Sequence, residues 1–156
     1  MTVDWAIIAI SAAQQADGSL AIIGAGSHTF LSIPRGSLPE EVQRMMPPKA
    51  VGSPVQLCIV ARLNANRTEV NRPHQVDIRV VDADGAAVVS NTLPLMIPND
   101  PNIPSGWPLL ANVVVNFGLG MYPSYGEYAA DINIDGDSKK LLHFRIVPLA
   151  VGGREK

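Results

Sequence analysis

Tyr125-Gly126-Glu127-Tyr128-Ala129-Ala130-Asp131-Ile132-Asn133-Ile134-Asp135-Gly136, followed by Lys140 to Val147, decides the fold class. Tyr128, Ala130, Ile132 and Ile134 share one parity and Asp131, Asn133 and Asp135 the other, the period-2 pattern of a half-buried strand. Asp135-Gly136 is a hairpin-turn signal. Beyond it Leu142, Phe144 and Ile146 alternate with Leu141, His143 and Arg145, so a return strand is expected. The order Gly126-x-Tyr128-x-Ala130 also resembles the tyrosine corner of immunoglobulin-like sandwiches, with Ala130 where antibody domains carry their second cysteine.

Other runs repeat the pattern. Val3 to Ala13 and Leu20 to Ile33 read as strands joined by the turn Ala16-Asp17-Gly18-Ser19. Both carry apolar residues on two faces (Ile7, Ile8, Ile10; Ile22, Ile23), so a second cover is required. Pro34 to Pro54 interrupts. Ser37-Leu38-Pro39-Glu40 fits a capping box opening a short amphipathic helix, Leu38 to Met46, stopped by Pro47-Pro48, and this insert is a candidate cover. Val55, Leu57, Ile59, Ala61 and Leu63 then alternate with Gln56, Cys58, Val60 and Arg62. After the polar loop Ala65 to Arg72, His74, Val76, Ile78 and Val80 face in, with Gln75, Asp77 and Arg79 out. Asp82-Ala83-Asp84-Gly85 turns into a short strand, Ala86 to Ser90. Thr92 to Pro108 holds five of the thirteen prolines. Proline lacks the donor a ladder needs, so this stretch is expected to be an extended, apolar loop. Leu110 to Leu119 is the next strand.

The sum is an all-β chain, an antiparallel two-sheet sandwich of about eight strands, immunoglobulin-like or C2-like, with one short helix in an insert. Residues 1–150 form one domain and Val151 to Lys156 a flexible tail. If every connection reverses direction, Asp17-Gly18, the loop Ala65–Arg72, the proline loop with Trp107 and Asp135-Gly136 gather at one end. The insert, Asp82–Gly85 and Gly120–Tyr125 gather at the other.

The Asp4-Trp5-Ala6 opening, Asp17-Gly18-Ser19-Leu20, Ile23-Gly24, Val76 to Gly85 and the Gly126-Glu127-Tyr128 hairpin, in that order, resemble an uncharacterised family of small bacterial β-sandwich proteins of unknown function. The resemblance covers nearly the whole chain and implies the fold. It brings no catalytic residues. The insert Pro34–Pro54 and the proline loop look longer than that family's usual connections, which marks them as places for a function particular to this chain.

Composition narrows the function. The net charge is −2, charged residues make up 17% and aromatics 5%, so no basic field or stacking platform for nucleic acid is expected. No run approaches the roughly 20 apolar residues of a membrane span. An acid near the N-terminus replaces the basic start of a secretory signal, and one cysteine, Cys58, excludes an internal disulfide framework. A cytoplasmic protein is expected.

Chemical motifs fail on their missing partners. Asp131-x-Asn133-x-Asp135-Gly136 begins a calcium loop, but the twelfth position, which should be a bidentate acid, is Leu142. Asp82, Asp84, Asp135 and Asp137 are candidates for calcium held between sandwich loops, but the sorting above sends the two pairs to opposite ends. His28, His74 and His143 have no zinc spacing. Gly24-Ala25-Gly26-Ser27-His28 is too short for a dinucleotide fingerprint, and no nucleophile elbow exists. No cofactor, no metal and no catalytic residue is assigned, and the chain is read as not an enzyme. What stands out is apolar excess, in Ile7, Ile8, Ile22, Met45, Met46, Met96, Ile97 and Trp107. Such surface marks interfaces. The expectation is a non-catalytic protein-interaction or assembly module, self-associating or a subunit of a larger complex. The alternative is a small-ligand-binding sandwich, with enzymatic activity as one form of it, and a pocket near the Trp107 loop.

Overall fold

A computed structural model describes residues 1–32, 34–52, 57–117 and 121–149. The chain is all-β. In order, the strands are β1 (Thr2–Ala9), β2 (Ser11–Gln14), β3 (Leu20–Ile23), β4 (Thr29–Ser32), β5 (Val51–Gly52), β6 (Cys58–Ala65), β7 (Pro73–Asp82), β8 (Ala87–Met96), β9 (Leu109–Asn116), β10 (Met121–Tyr122), β11 (Gly126–Ile134) and β12 (Asp137–Pro148). A 3-10 turn, Arg35–Ser37, and a short helix α1, Glu40–Met45, precede β5. In place of about eight strands in two sheets, the described residues form twelve strands in four sheets.

The largest sheet has five strands, ordered β4-β12-β11-β7-β8. Its centre is the hairpin that opened the sequence reading. Ile134 faces Asp137 across a two-residue turn, with Asp135 at φ 53° and Gly136 at φ 89°. Positive φ at both positions is the type I′ geometry that suits the strands' twist, hence Asp-Gly. Tyr128, Ala130, Ile132 and Ile134 of β11, Val76, Ile78 and Val80 of β7, and Phe144 and Ile146 of β12 are all buried in one cluster. Leu57, Ile59, Ala61 and Leu63 join it from the three-stranded sheet β1-β6-β9. Alternation thus places one face of each of these two sheets in a common core.

Where the run lengths mislead, the chain is changing sheets. The first run breaks at Ile10: β1 pairs with β6, whereas β2 pairs with β3. The second run breaks at Gly24 and Gly26, at φ 65° and 78°. A Cβ on Gly24 would sit 2.6 Å from the Ile10 side chain, so only glycine permits the close crossing. Beyond the break, β4 pairs with β12 in parallel, a departure from the expected antiparallel pattern. Ile33, the last residue of that run, lies outside the described residues, as do Pro54, Val55, Gln56, Leu119, Gly120 and the tail 151–156.

The cover demanded by the two-faced first run is not the insert. It is the β2–β3 hairpin. Trp5 and Ile7 of β1, Cys58 and Val60 of β6 and Val114 of β9 form a second cluster with Ala12, Leu20 and Ile22 of the hairpin. Cys58 and Val60, expected to face outward, are fully buried as a result.

The insert also departs in detail. Pro39, not Ser37, precedes the first helical residue, and no side chain caps it, so the capping box does not form. A proline is favoured at the entrance of a helix for its fixed φ. Arg35 takes over at the C-terminal end, where its guanidinium donates to the carbonyls of Gln43, Met46 and Pro47. Finally, β8 runs on through Pro94 to Met96, where a loop was expected. The strand is at the sheet's edge, where a missing N–H can face solvent without breaking a ladder bond.

Candidate interaction surface

Several loops gather at two ends of the sheets. At one, the turn 66–71, the loop 97–108 and the turn Asp135-Gly136 are tied together. Asn71 N–H donates to the Ile97 carbonyl at 2.9 Å, Asn99 N–H to Asn71 Oδ1 at 3.1 Å, and Gln75 N–H to Asp135 Oδ1 at 2.9 Å. At the other end, Asp82 and Asp84 share a hollow with Ser124, Tyr125 and Tyr128. Tyr128 Oη donates to the Ser124 carbonyl at 2.6 Å and accepts from Ser124 N–H at 3.3 Å. That bond to backbone just upstream is the one a tyrosine corner makes.

The turn 66–71 is built locally. Asn66 Oδ1 accepts from the backbone and hydroxyl of Thr68, and Glu69 Oε2 accepts from Asn66 N–H. Self-bonding of this kind is what Asn and Thr bring to turns. The turn aims Arg67 across at the proline loop. Its Nη1 donates to Asn99 Oδ1 and the Asp100 carbonyl, and its Nη2 to the carbonyls of Ile103 and Pro104. One guanidinium's fixed fork thereby satisfies loop carbonyls that no strand partner reaches. Beneath it, Ala65, Val70, Ile97 and Leu109 are buried together, with Ile103 packed against them.

Trp107 is left outside. Its N–H donates to the Pro104 carbonyl at 3.1 Å, closing a turn with Gly106 at φ 90°. The positive φ at the third position is the type II requirement. The side chain is 66% exposed, with Met96 at 63% and Leu110 at 51% nearby in sequence. The result is a large apolar group on a loop that is already held in place.

The sequence-derived candidates divide accordingly. Ile8, Met46 and Ile97 are buried inside the chain, and Ile7 and Ile22 are partly covered within the hairpin cluster. Met45, Met96 and Trp107 remain exposed. Arg67, which lies within the loop read from sequence only as polar, is the residue that sequence reasoning missed. Its partners lie more than thirty positions away, and the only local hint was the Asn66-Arg67-Thr68 turn chemistry.

Elsewhere the chemistry is structural. Asp135 is held below the usual carboxylate range, first by His74 and then by Gln75 N–H. Burial alone would push Asp131 up, but bonds from Ser138, Asn133 and Arg79 more than offset it, and its carboxyl lies below the usual range. Together with Asp77, which accepts from Thr92 Oγ1 at 2.6 Å, these side chains form a polar ladder across the outer face of the large sheet. Burial pushes the Cys58 thiol up, the opposite of what a nucleophile requires. Burial, and then Tyr128, push Tyr122 up to about 12. Among the described residues no three acids, histidines or cysteines are grouped to hold a metal ion. Asp82 and Asp84 accept or flank bonds within their own turn, with Asp82 Oδ1 receiving Asp84 N–H and Ala86 N–H.

A hollow of about 250 Å³ lies by His28, Glu127, His143 and Arg145, and one of about 180 Å³ over Asp77, Arg79 and Thr92. Trp107 lines neither. No described helix is long and apolar enough to cross a membrane.

Fold and surface thus define an all-β protein of several sheets, one of them curled into a half-barrel. Over residues 4–147 the chain matches DUF6941, a family of unknown function, and it belongs to that family. No curated protein matches it.

Proposed function

We propose that this protein is a non-catalytic interaction module, self-associating or serving as a subunit of a larger complex, and that the Trp107 loop is its contact surface. One observation carries the reading: Trp107 is two-thirds exposed on a loop held by Arg67. Tryptophan is enriched among residues that dominate binding energy, and a pre-ordered loop loses less entropy on docking. Met96, the last residue of β8, and Leu110, near the start of β9, are exposed as well, on the strands that flank the loop. The fold is inferred to be a two-layer, immunoglobulin-like sandwich. The shared core of the three- and five-stranded sheets and the Tyr128–Ser124 bond support that reading. The test is native mass by light scattering at two concentrations, with cross-linking in lysate, on wild type and Trp107→Ala. An anchor tryptophan is worth about 2 kcal/mol or more, roughly thirtyfold in Kd. Folding is expected to change by less than about 0.5 kcal/mol, because the side chain is exposed. A mass of 16.6 kDa at both concentrations, with the same cross-linked products from both proteins, overturns the proposal.

A further inference from the structure

His74 stands at the start of β7, and its side chain is only 10% exposed. Both ring nitrogens meet acceptors. Nδ1 lies 2.7 Å from Asp135 Oδ2, and Nε2 lies 2.8 Å from the Glu69 carbonyl oxygen. Neither partner has a proton to give: a backbone carbonyl only accepts, and the Asp135 carboxyl is held ionised. A neutral imidazole carries one N–H and one lone pair, so it satisfies one of these contacts and turns a lone pair on the other. Only the imidazolium donates to both.

The two contacts join separate loops. Asp135 belongs to the β11–β12 turn, and Glu69 to the turn 66–71, which also carries Arg67 and Asn71, the residues that hold the loop 97–108. The charged groups around the ring fit this state. Asp135 faces it directly, Glu69 is paired with the Met1 amino group, and Asp137 beyond the turn is paired with Lys139. From β8 the residue opposite is Leu95, which is uncharged.

We propose that His74 is a proton-operated latch that sets the order of the Trp107 loop. In the doubly protonated ring, Nδ1–H is held by Asp135 and Nε2–H by Glu69. On loss of one proton, the remaining N–H stays with the carboxylate, the stronger acceptor. Nε2 then presents a lone pair to the Glu69 carbonyl, and the turn 66–71 loses its tie to β7. Arg67 and Asn71 move with that turn, so the loop 97–108 loosens. Histidine is the side chain whose unperturbed charge change falls within the physiological range, which makes it the natural group for such a latch. The latch regulates the surface proposed above, but its test reads loop order rather than binding, so either proposal fails without the other.

The experiment is hydrogen exchange on the intact protein from about pH 5.5 to 8.5. Peptides covering 66–71 and 97–104 are compared with the β11 core, after division by the intrinsic exchange rate at each pH. Nitrogen chemical shifts of the His74 ring are followed in parallel. Both ring nitrogens are expected to be protonated at the acid end. As the ring titrates, protection of the two loop peptides should fall on the order of tenfold, the scale of one lost tie, with the core unchanged. His74→Gln has one side-chain donor group, and in it the loop protection should be independent of pH. His28→Gln/His143→Gln should behave as wild type. A singly protonated ring at the acid end overturns the proposal. So does loop protection that stays flat through the titration, or that falls equally in His74→Gln. If His74→Gln does not fold, the wild-type ring titration and loop exchange must still share one midpoint, and separate midpoints refute the latch.

Discussion

Replacing Tyr128 by phenylalanine isolates one hydrogen bond in an otherwise unchanged core. The ring is 3% exposed and packs edge-on to Tyr122, centroids 5.1 Å apart, and stacked on Phe144 at 5.8 Å. Those contacts survive the substitution. What disappears is the 2.6 Å bond to the Ser124 carbonyl and the weaker 3.3 Å bond from Ser124 N–H. A net hydrogen bond is worth about 1 kcal/mol, and leaving a part-buried carbonyl unpaired raises the cost to about 1–2 kcal/mol. For a chain of this length each kcal/mol lowers Tm by about 2–4 °C, so calorimetry should show a fall of about 2–8 °C. Tyr128→Ala serves as the scale, because losing the ring from this cluster costs about 3–5 kcal/mol. A change under about 1 °C in Tyr128→Phe would show that the bond does not pin the segment before β11. That result would refute the reasoning that the Tyr128–Ser124 bond contributes to the stability of the fold.

Two further perturbations follow from the site chemistry. Cys58 is fully buried between β1 and the β2–β3 hairpin, and burial pushes its thiol up. A thiol reagent at pH 8 should therefore label it only through opening of the fold, at least a hundredfold slower than in urea. Labelling at the unfolded rate would mean the hairpin does not cover that face. Asp135 has its carboxyl lowered by His74 and Gln75, so its contribution to stability is present above the unfolded aspartate value of about 3.9 and is lost as pH falls through the lower folded value. Urea midpoints of Asp135→Asn should lie below wild type at neutral pH and converge with it in acid. A gap that stays constant across that range would show that the carboxylate's charge does not matter.

Much of the architecture was legible because side-chain parity in a strand is a local property. Tyr128, Ala130, Ile132 and Ile134 had to share a face whatever they packed on. Asp135-Gly136 and Asp17-Gly18 were legible as turns because each offers a glycine for positive φ, joined at Asp135 by an aspartate that tolerates it. Strand limits were less legible. The run through Ile10 and the run through Gly24 are continuous in hydropathy, yet each serves two sheets, and where a chain leaves one ladder for another is fixed by partners far away in sequence. Pro94 misled for the same reason, since a proline is harmless on an edge and disruptive inside, and only the assembled sheet says which edge β8 is.

The sequence by itself therefore settled the all-β class and the hairpins at Asp17-Gly18, Asp82–Gly85 and Asp135-Gly136. The tertiary structure alone decided that the β2–β3 hairpin covers the outer faces of β1 and β6, that Arg67 holds the proline loop, and that His74 sits between Asp135 and Glu69. Periodicity states that a face is apolar, while what covers it, and which distant acceptor a long cationic side chain reaches, depends on how the sheets are brought together.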